Sequence, residues 1–217
     1  MKPISIDILK GPSVNPRTVY GIGRNYREHA AELRNDVPSE PIVFLKHLSS
    51  LRPLSGGPLA YPGEVFHHEA EVVVLVGKNL AMGQKASWHD ISAIGLGLDL
   101  TRREAQAALK AQGLPWTKAK AFDGAAPIST FIPRQAFPKL DDIEFTLHVG
   151  HELRQKGSTK DMLFSVESIL GHLLSFTSLY EGDLIFTGTP SGVGPIKHGD
   201  SFKLAFTDLG LEFEGCL

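Results

Sequence analysis

The sequence predicts an α+β fold built as one large domain. Short β-rich runs outnumber helical segments, their spacing is too irregular for a doubly wound βαβ sheet, and few segments carry a helical period. A chain of 217 residues can bury roughly 70% of its extended surface in one core without disulfides or a structural metal. The domain is expected to span residues 1–217, with residues 1–15 allowing an N-terminal extension.

Along the chain, residues 25–33 have helix-compatible composition and residues 41–46 form the first β run. A Gly/Pro-rich loop over 53–63 precedes two apolar strands, 69–76 and 92–100. A helix follows over 101–112, stopped by Gly113 with Pro115 just beyond. Residues 143–149 form another strand. Ser165 is an N-cap, and Val166, Ile169, Leu170, Leu173 and Leu174 recur at spacings of three and four, which predicts a helix over 165–179. Strands over 183–187 and 202–206 flank a Gly/Pro loop at 187–195.

Charge and motifs exclude several function classes. With 22 Lys+Arg against 24 Asp+Glu the chain has a formal charge of −2, which argues against nucleic-acid or membrane-surface binding. The single cysteine, Cys216, permits neither an internal disulfide nor a cysteine zinc site and fits a reducing, cytoplasmic setting. The N-terminal residues lack a signal-peptide apolar core, and the apolar run 72–76 is far too short to span a membrane. Gly21-Ile22-Gly23 lacks the third glycine of a dinucleotide fingerprint, and no phosphate loop, nucleophile elbow or zincin helix is present.

The informative stretch is His67-His68-Glu69-Ala70-Glu71 running into five apolar residues. At a strand period of two, Glu69 and Glu71 share a face with Val73 and Leu75, while Ala70, Val72, Val74 and Val76 fill the other. Apolar residues on both faces predict a buried strand, where two carboxylates need a proton, a base or a cation. Asp99 ends a second apolar run and adds a third oxygen donor, a set suited to a hard divalent ion. Spacing alone favours the plainer reading, in which these acids sit at strand ends in solvent or pair with Arg102 and Arg103.

His29 and Glu32 are three apart, so a carboxylate can orient an imidazole as a general base, although such pairs are also common on solvated helices. Lys118 and Lys120 alternate before Phe122; a lysine there can stabilise an enolate or simply be solvated. His67 and His68 flank the acidic strand and are expected to orient its carboxylates by hydrogen bonds.

Taken together these motifs resemble the fumarylacetoacetate hydrolase family, specifically its small single-domain branch of acylpyruvate hydrolases and oxaloacetate decarboxylases. The matching segments span nearly the whole chain: Gly23-Arg24-Asn25-Tyr26 with His29 and Glu32, Phe44-Leu45-Lys46, His67-His68-Glu69-x-Glu71, Asp99-Leu100-Thr101 with Arg103 and Gln106, Gly113-Leu114-Pro115-Trp116, Lys120, Asp161-Met162, and Gly182-Asp183 through Thr187-Gly188-Thr189-Pro190. The resemblance implies a mixed β-roll, a homodimer, and Glu69, Glu71 and Asp99 as ligands of Mg²⁺ or Mn²⁺. It also places His29 and Glu32 on a segment that closes over substrate, with Arg24, Gln106, Lys120 and Thr189 lining the pocket. Arg34 and His47 depart from the family pattern near that segment. The implied activity is metal-dependent carbon–carbon cleavage of acylpyruvates to pyruvate and a carboxylic acid. Oxaloacetate decarboxylation, isomerisation or decarboxylation of 2-oxo acids from aromatic catabolism, and a non-catalytic metal-binding role are the alternatives.

Overall fold

Seven consecutive buried residues, Ala70–Val76, form the strand at the centre of the molecule, as their two-sided apolar pattern predicts. The computed structural model describes residues 4–32, 37–57, 61 and 63–217, and the side chains of residues 29–31 fall outside that description. In chain order the elements are β1 (Val19–Gly23), α1 (Arg27–Glu32), β2 (Ile42–Lys46), β3 (Leu51–Pro53), β4 (Val65–His68), β5 (Ala70–Val76), β6 (Ile91–Leu98), α2 (Arg103–Ala111), α3 (Thr117–Lys120), β7 (Ala126–Ile128), β8 (Ile132–Pro133), β9 (Glu144–Val149), β10 (Glu152–Ser158), α4 (Val166–Leu174), β11 (Leu184–Phe186), β12 (Gly194–Lys197), β13 (Ser201–Phe206) and β14 (Leu211–Cys216).

The principal sheet runs β2-β1-β11-β5-β6-β7-β3, with β8 also paired to β6. It is mixed: β1 lies parallel to β11 and β3 to β7, while the other pairings are antiparallel. A second, antiparallel sheet runs β10-β9-β13-β14, and β12 pairs with β4. This is the mixed β-roll of an α+β protein. The two faces of β5 enter separate cores, as alternation requires. Ala70, Val72, Val74 and Val76 pack in the larger one with α4 and the second sheet. Val73 and Leu75 pack in a smaller one with Val19, Phe131, Leu184 and Phe186.

Helix α4 begins at the predicted cap, where the Ser165 hydroxyl accepts from the Ser168 N–H at 3.2 Å. It ends at Leu174 rather than 179, because the chain turns so that Leu179 can form a bridge with Leu80. Helix α2 starts at Arg103, since Thr101 is drawn into a bridge with His67. At its C-terminus Gly113, at φ 66°, donates to Lys110 O and Leu114 donates to Leu109 O, the paired bonds that glycine permits there. Among the described residues no helix is long and apolar enough to cross a membrane.

Candidate active site and metal centre

The acids meet where β5 and β6 begin and end. Glu71 lies opposite Gly97 in the β5–β6 ladder, Glu69 precedes β5, and the Asp99 N–H donates to Glu69 O at 2.8 Å. The side-chain alternation expected for this strand therefore holds, and one oxygen from each of Glu69, Glu71 and Asp99 lies within 4.8 Å of the others. All three residues are buried.

Three cations answer these acids. Lys120 Nζ is 2.6 Å from both Glu69 Oε2 and Asp99 Oδ2. Lys46 Nζ is 2.7 Å from Asp99 Oδ1 and donates to Lys120 O at 2.5 Å and Ala125 O at 3.3 Å. Arg103 pairs through Nη2 with Glu69 Oε1 and donates through Nη1 to Gln106 Oε1 at 2.6 Å. At 3% exposure Lys120 is not the solvated lysine that composition alone allowed. Strand-end pairing was half right: Arg103 does bind Glu69, while Arg102 turns away to Glu64 and lies over the Phe122 ring.

Burial, then the negative charges of Asp99 and Glu69, push the Glu71 carboxyl well above its ordinary range; Lys120 and the Gly188 N–H act in the other direction. Burial pulls the Lys46 ammonium down, against the opposing pull of Asp99. Burial acts downward on Lys120 too, but the Asp99 and Glu69 carboxylates outweigh it and the net shift is upward.

The remaining walls come from loops tied to β5. The Gly188 N–H donates to Glu71 Oε2 at 2.7 Å, at φ 100°, a conformation that suits glycine. Thr187 and Thr189 hydroxyls donate to Val72 O and Ala70 O, both at 2.8 Å, so this loop continues along the β5 edge. Buried Asn25 fixes the approach to α1. Its amide donates to Thr187 O and Phe164 O, and its carbonyl accepts from the Phe164 N–H. Next to it Arg24 is held at φ 57°, a left-handed conformation uncommon for a side chain of this size.

One cavity gathers Arg24, Glu69, Glu71, Asp99, Gln106, Lys120 and Thr189, seven of the nine residues singled out from sequence. Glu32 lies apart on α1, exposed, with Oε1 accepting from the Gly192 N–H at 3.2 Å. The side chain of His29 lies outside the described residues, as does Arg34. His68 does not touch a carboxylate as expected; its Nδ1 meets Gln155 Oε1 at 3.0 Å. His67 touches Arg103 through a long 3.5 Å contact, and among the described residues it makes no hydrogen bond to the acids themselves.

Sequence reasoning missed the roles of Lys46 and Lys110 as site cations, whereas Arg103 was already named as a partner for these acids. Lys46 carried a signal, because at a strand period of two it falls on the same face as the apolar Ile42 and Phe44. Of these, Phe44 lines the cavity.

The donor set fits a hard divalent ion. The three side chains offer only carboxylate oxygens, gathered in one buried cluster. Such a set suits Mg²⁺ or Mn²⁺.

Comparison with known proteins agrees with this geometry. Residues 18–212 match the family model described as fumarylacetoacetate (FAA) hydrolase C-terminal. The chain is 45% identical over 202 residues to the mitochondrial oxaloacetate tautomerase FAHD1 of Oryza sativa subsp. japonica, covering 90% of this chain and 88% of that protein. It is 40% identical over 201 residues to the mitochondrial oxaloacetate decarboxylase of Dictyostelium discoideum, covering 91% and 92%. The crystal structure of fumarylpyruvate hydrolase from Pseudomonas aeruginosa in complex with Mn²⁺ and pyruvate superposes with a TM-score of 0.88 at 31% identity, covering 99% and 95%. The chain belongs to the fumarylacetoacetate hydrolase family of enzymes.

Proposed function

We propose that the protein is a divalent-cation-dependent enzyme that forms and quenches the enolate of oxaloacetate, by tautomerisation or by decarboxylation to pyruvate. The observation that carries this reading is the charge layout of the cavity, which has an acidic floor and a basic wall. Glu69, Glu71 and Asp99 form the floor, and Arg24, Arg103 and Lys110 line the same cavity. Burial first, then the neighbouring charges of Arg24 and Arg103, lower the Lys110 ammonium, so these cations share one field. A field of that sign recognises a second carboxylate, which oxaloacetate and fumarylpyruvate have and acetylpyruvate lacks; of the two dicarboxylates we favour oxaloacetate. The tautomerase and decarboxylase relatives support the same substrate.

Glu69, Glu71 and Asp99 would hold the Mg²⁺ or Mn²⁺, which when bound supplies Lewis acidity toward a 2-oxo acid. Arg24 and Lys110 bind and orient the distal carboxylate. Lys120, fixed by two carboxylates and by Lys46 at its own carbonyl, places an ammonium where negative charge develops on the enolate oxygen. Phe44 and Trp116 wall the cavity against water. His29, oriented by Glu32, carries the proton to or from C3. In decarboxylation the C3–C4 bond breaks, its electron pair forms the enolate, carbon dioxide leaves and a proton returns to C3 to give pyruvate.

Acylpyruvate hydrolysis is the second reading, favoured by the likeness to the fumarylpyruvate hydrolase. There His29 deprotonates an attacking water before the carbon–carbon bond breaks. We also propose that the chain works as a homodimer in a reducing compartment, which light scattering and fractionation test.

The deciding assay follows pyruvate release and keto–enol exchange with oxaloacetate, fumarylpyruvate and acetylpyruvate, each with Mg²⁺, Mn²⁺ or a chelator. Metal-dependent turnover of oxaloacetate is expected. Turnover of diketo acids alone would establish the hydrolase, and silence on all three substrates would point to a metal-binding role.

A further inference from the structure

Gln155 lies outside the cavity, in the second sheet, yet its side chain joins that sheet to the substrate loop. Strand β10 has a register shift between Leu153 and Gln155, a bulge centred on Arg154. Without it, residues 153 and 155 would share a face; with it, Leu153 is exposed while Gln155 is 1% exposed. The bulge thus re-aims one amide inward.

All four hydrogen-bonding positions of that amide are used. Oε1 accepts from the Ala70 N–H at 3.0 Å, and Nε2 donates to Thr189 Oγ1 at 2.8 Å and Pro190 O at 3.0 Å. A backbone donor at one end and a backbone acceptor at the other fix which atom is oxygen. The fourth contact, to His68 Nδ1, therefore requires that this nitrogen carry the proton. Thr189 gives its single hydroxyl proton to Ala70 O, so toward a ligand this hydroxyl only accepts.

The loop is also seated on β10 by shape. A Cβ on Gly192 would come within 2.1 Å of the carbonyl oxygen of Arg154, and a Cβ on Gly157 within 2.8 Å of Pro190. From this seat the loop reaches in two directions. Thr189 lines the cavity, while the Ser191 hydroxyl meets Glu28 at 3.3 Å and the Gly192 N–H meets Glu32 at 3.2 Å on α1.

We propose that Gln155 is a positioning residue that sets substrate affinity by bolting residues 189–192 to the bulged strand, and through them the helix carrying His29 and Glu32. The proposal rests on the reading that this cavity takes a 2-oxo acid. It assigns Gln155 no contact with substrate and no share in metal binding.

The test compares wild type with Q155M, which keeps the volume without polar atoms, and Q155E, which keeps the acceptor but loses both donors. Leaving the Thr189 and Pro190 oxygens without their donor should raise KM for oxaloacetate by about tenfold or more, with kcat changing less than about threefold. Mn²⁺ affinity by calorimetry should stay within about twofold, because the acidic cluster is untouched. Amide exchange without ligand should quicken at residues 189–192 and in α1 but not in β5. In a T189V background Q155M should raise KM little further, as expected of residues acting in series. Unchanged KM with unchanged loop exchange in both variants overturns the proposal, as does a parallel loss of Mn²⁺ affinity. If Q155M does not fold, isosteric Q155E carries the comparison. If the wild type neither turns over oxaloacetate nor binds oxalate with Mn²⁺, the functional reading fails by itself, and ligand-free exchange still decides the role of Gln155.

Discussion

Lys120→Met separates the electrostatic part of this site from its shape. The wild-type ammonium makes two contacts of 2.6 Å, to Glu69 and Asp99, and it is buried. Methionine keeps most of the volume and removes from the three buried carboxylates the cation that bridges two of them, with Lys46 and Arg103 still facing Asp99 and Glu69. Removing one partner from a buried ion pair costs about 3–5 kcal/mol. For a chain of this length that is a fall in Tm of roughly 6–20 °C, at ~2–4 °C per kcal/mol. A divalent ion held by the same three acids restores the missing charge. At a thousandfold excess over its Kd it returns about 4 kcal/mol, close to the whole loss. Thermal melts in chelator and in a Mn²⁺ series should therefore show a larger metal-induced gain in K120M than in wild type, where ion and ammonium compete for the same oxygens. Turnover should fall by about 10²–10³, because the charge facing the enolate oxygen is gone. A K120M protein with wild-type Tm in chelator, or with no recovery in Mn²⁺, would refute both the ion-pair accounting and the metal assignment.

Further expectations concern specificity, catalysis, core and pH. Lys110→Met should raise KM for oxaloacetate by roughly tenfold while leaving acetylpyruvate, if it is turned over, within about twofold, as expected for a cation that meets only the distal carboxylate. Glu71→Gln should abolish metal-dependent turnover, read as pyruvate release across a Mn²⁺ titration. His29→Ala should injure hydrolysis more than decarboxylation, since only hydrolysis needs an activated water; equal losses would count against that division. Leu75→Ala, in the smaller core, should cost about 2–5 kcal/mol in urea denaturation. Burial acts to raise the Asp90 carboxyl, but Lys78 and the Ser87 N–H outweigh it and hold it below its usual value. A depressed folded-state value means stability that is present above about pH 4 and lost as pH falls through the lower folded value. Asp90→Asn should therefore cost about 1 kcal/mol at neutral pH and nothing in strong acid, as urea melts across pH would show.

Much of the site was legible because its signals are local. The run from Glu69 to Val76 alternates about a two-residue period, so its acids and its two apolar faces follow from backbone geometry. Ser165 and Gly113 punctuate helices by hydrogen bonding and φ, which neighbouring residues suffice to set. Strands such as β10 and β14 escaped notice. The first is mostly polar and takes its strand form from pairing with β9, while the second is short and, although Leu211 to Glu214 alternate, it lies beside the turn at the end of the chain and pairs only with β13.

Sequence by itself determined that this chain folds around an acid-bearing buried strand and that it resembles the fumarylacetoacetate hydrolases, a resemblance that named the three carboxylates the structure brings together. Only the tertiary structure decided which bases answer those acids. Lys46, Arg103 and Lys120 arrive from β2, α2 and α3, and lysine or arginine on a short element is ordinarily solvated. Their convergence follows from the cost of leaving three carboxylates unpaired in a low-dielectric interior, a condition that exists only once the chain has closed around them.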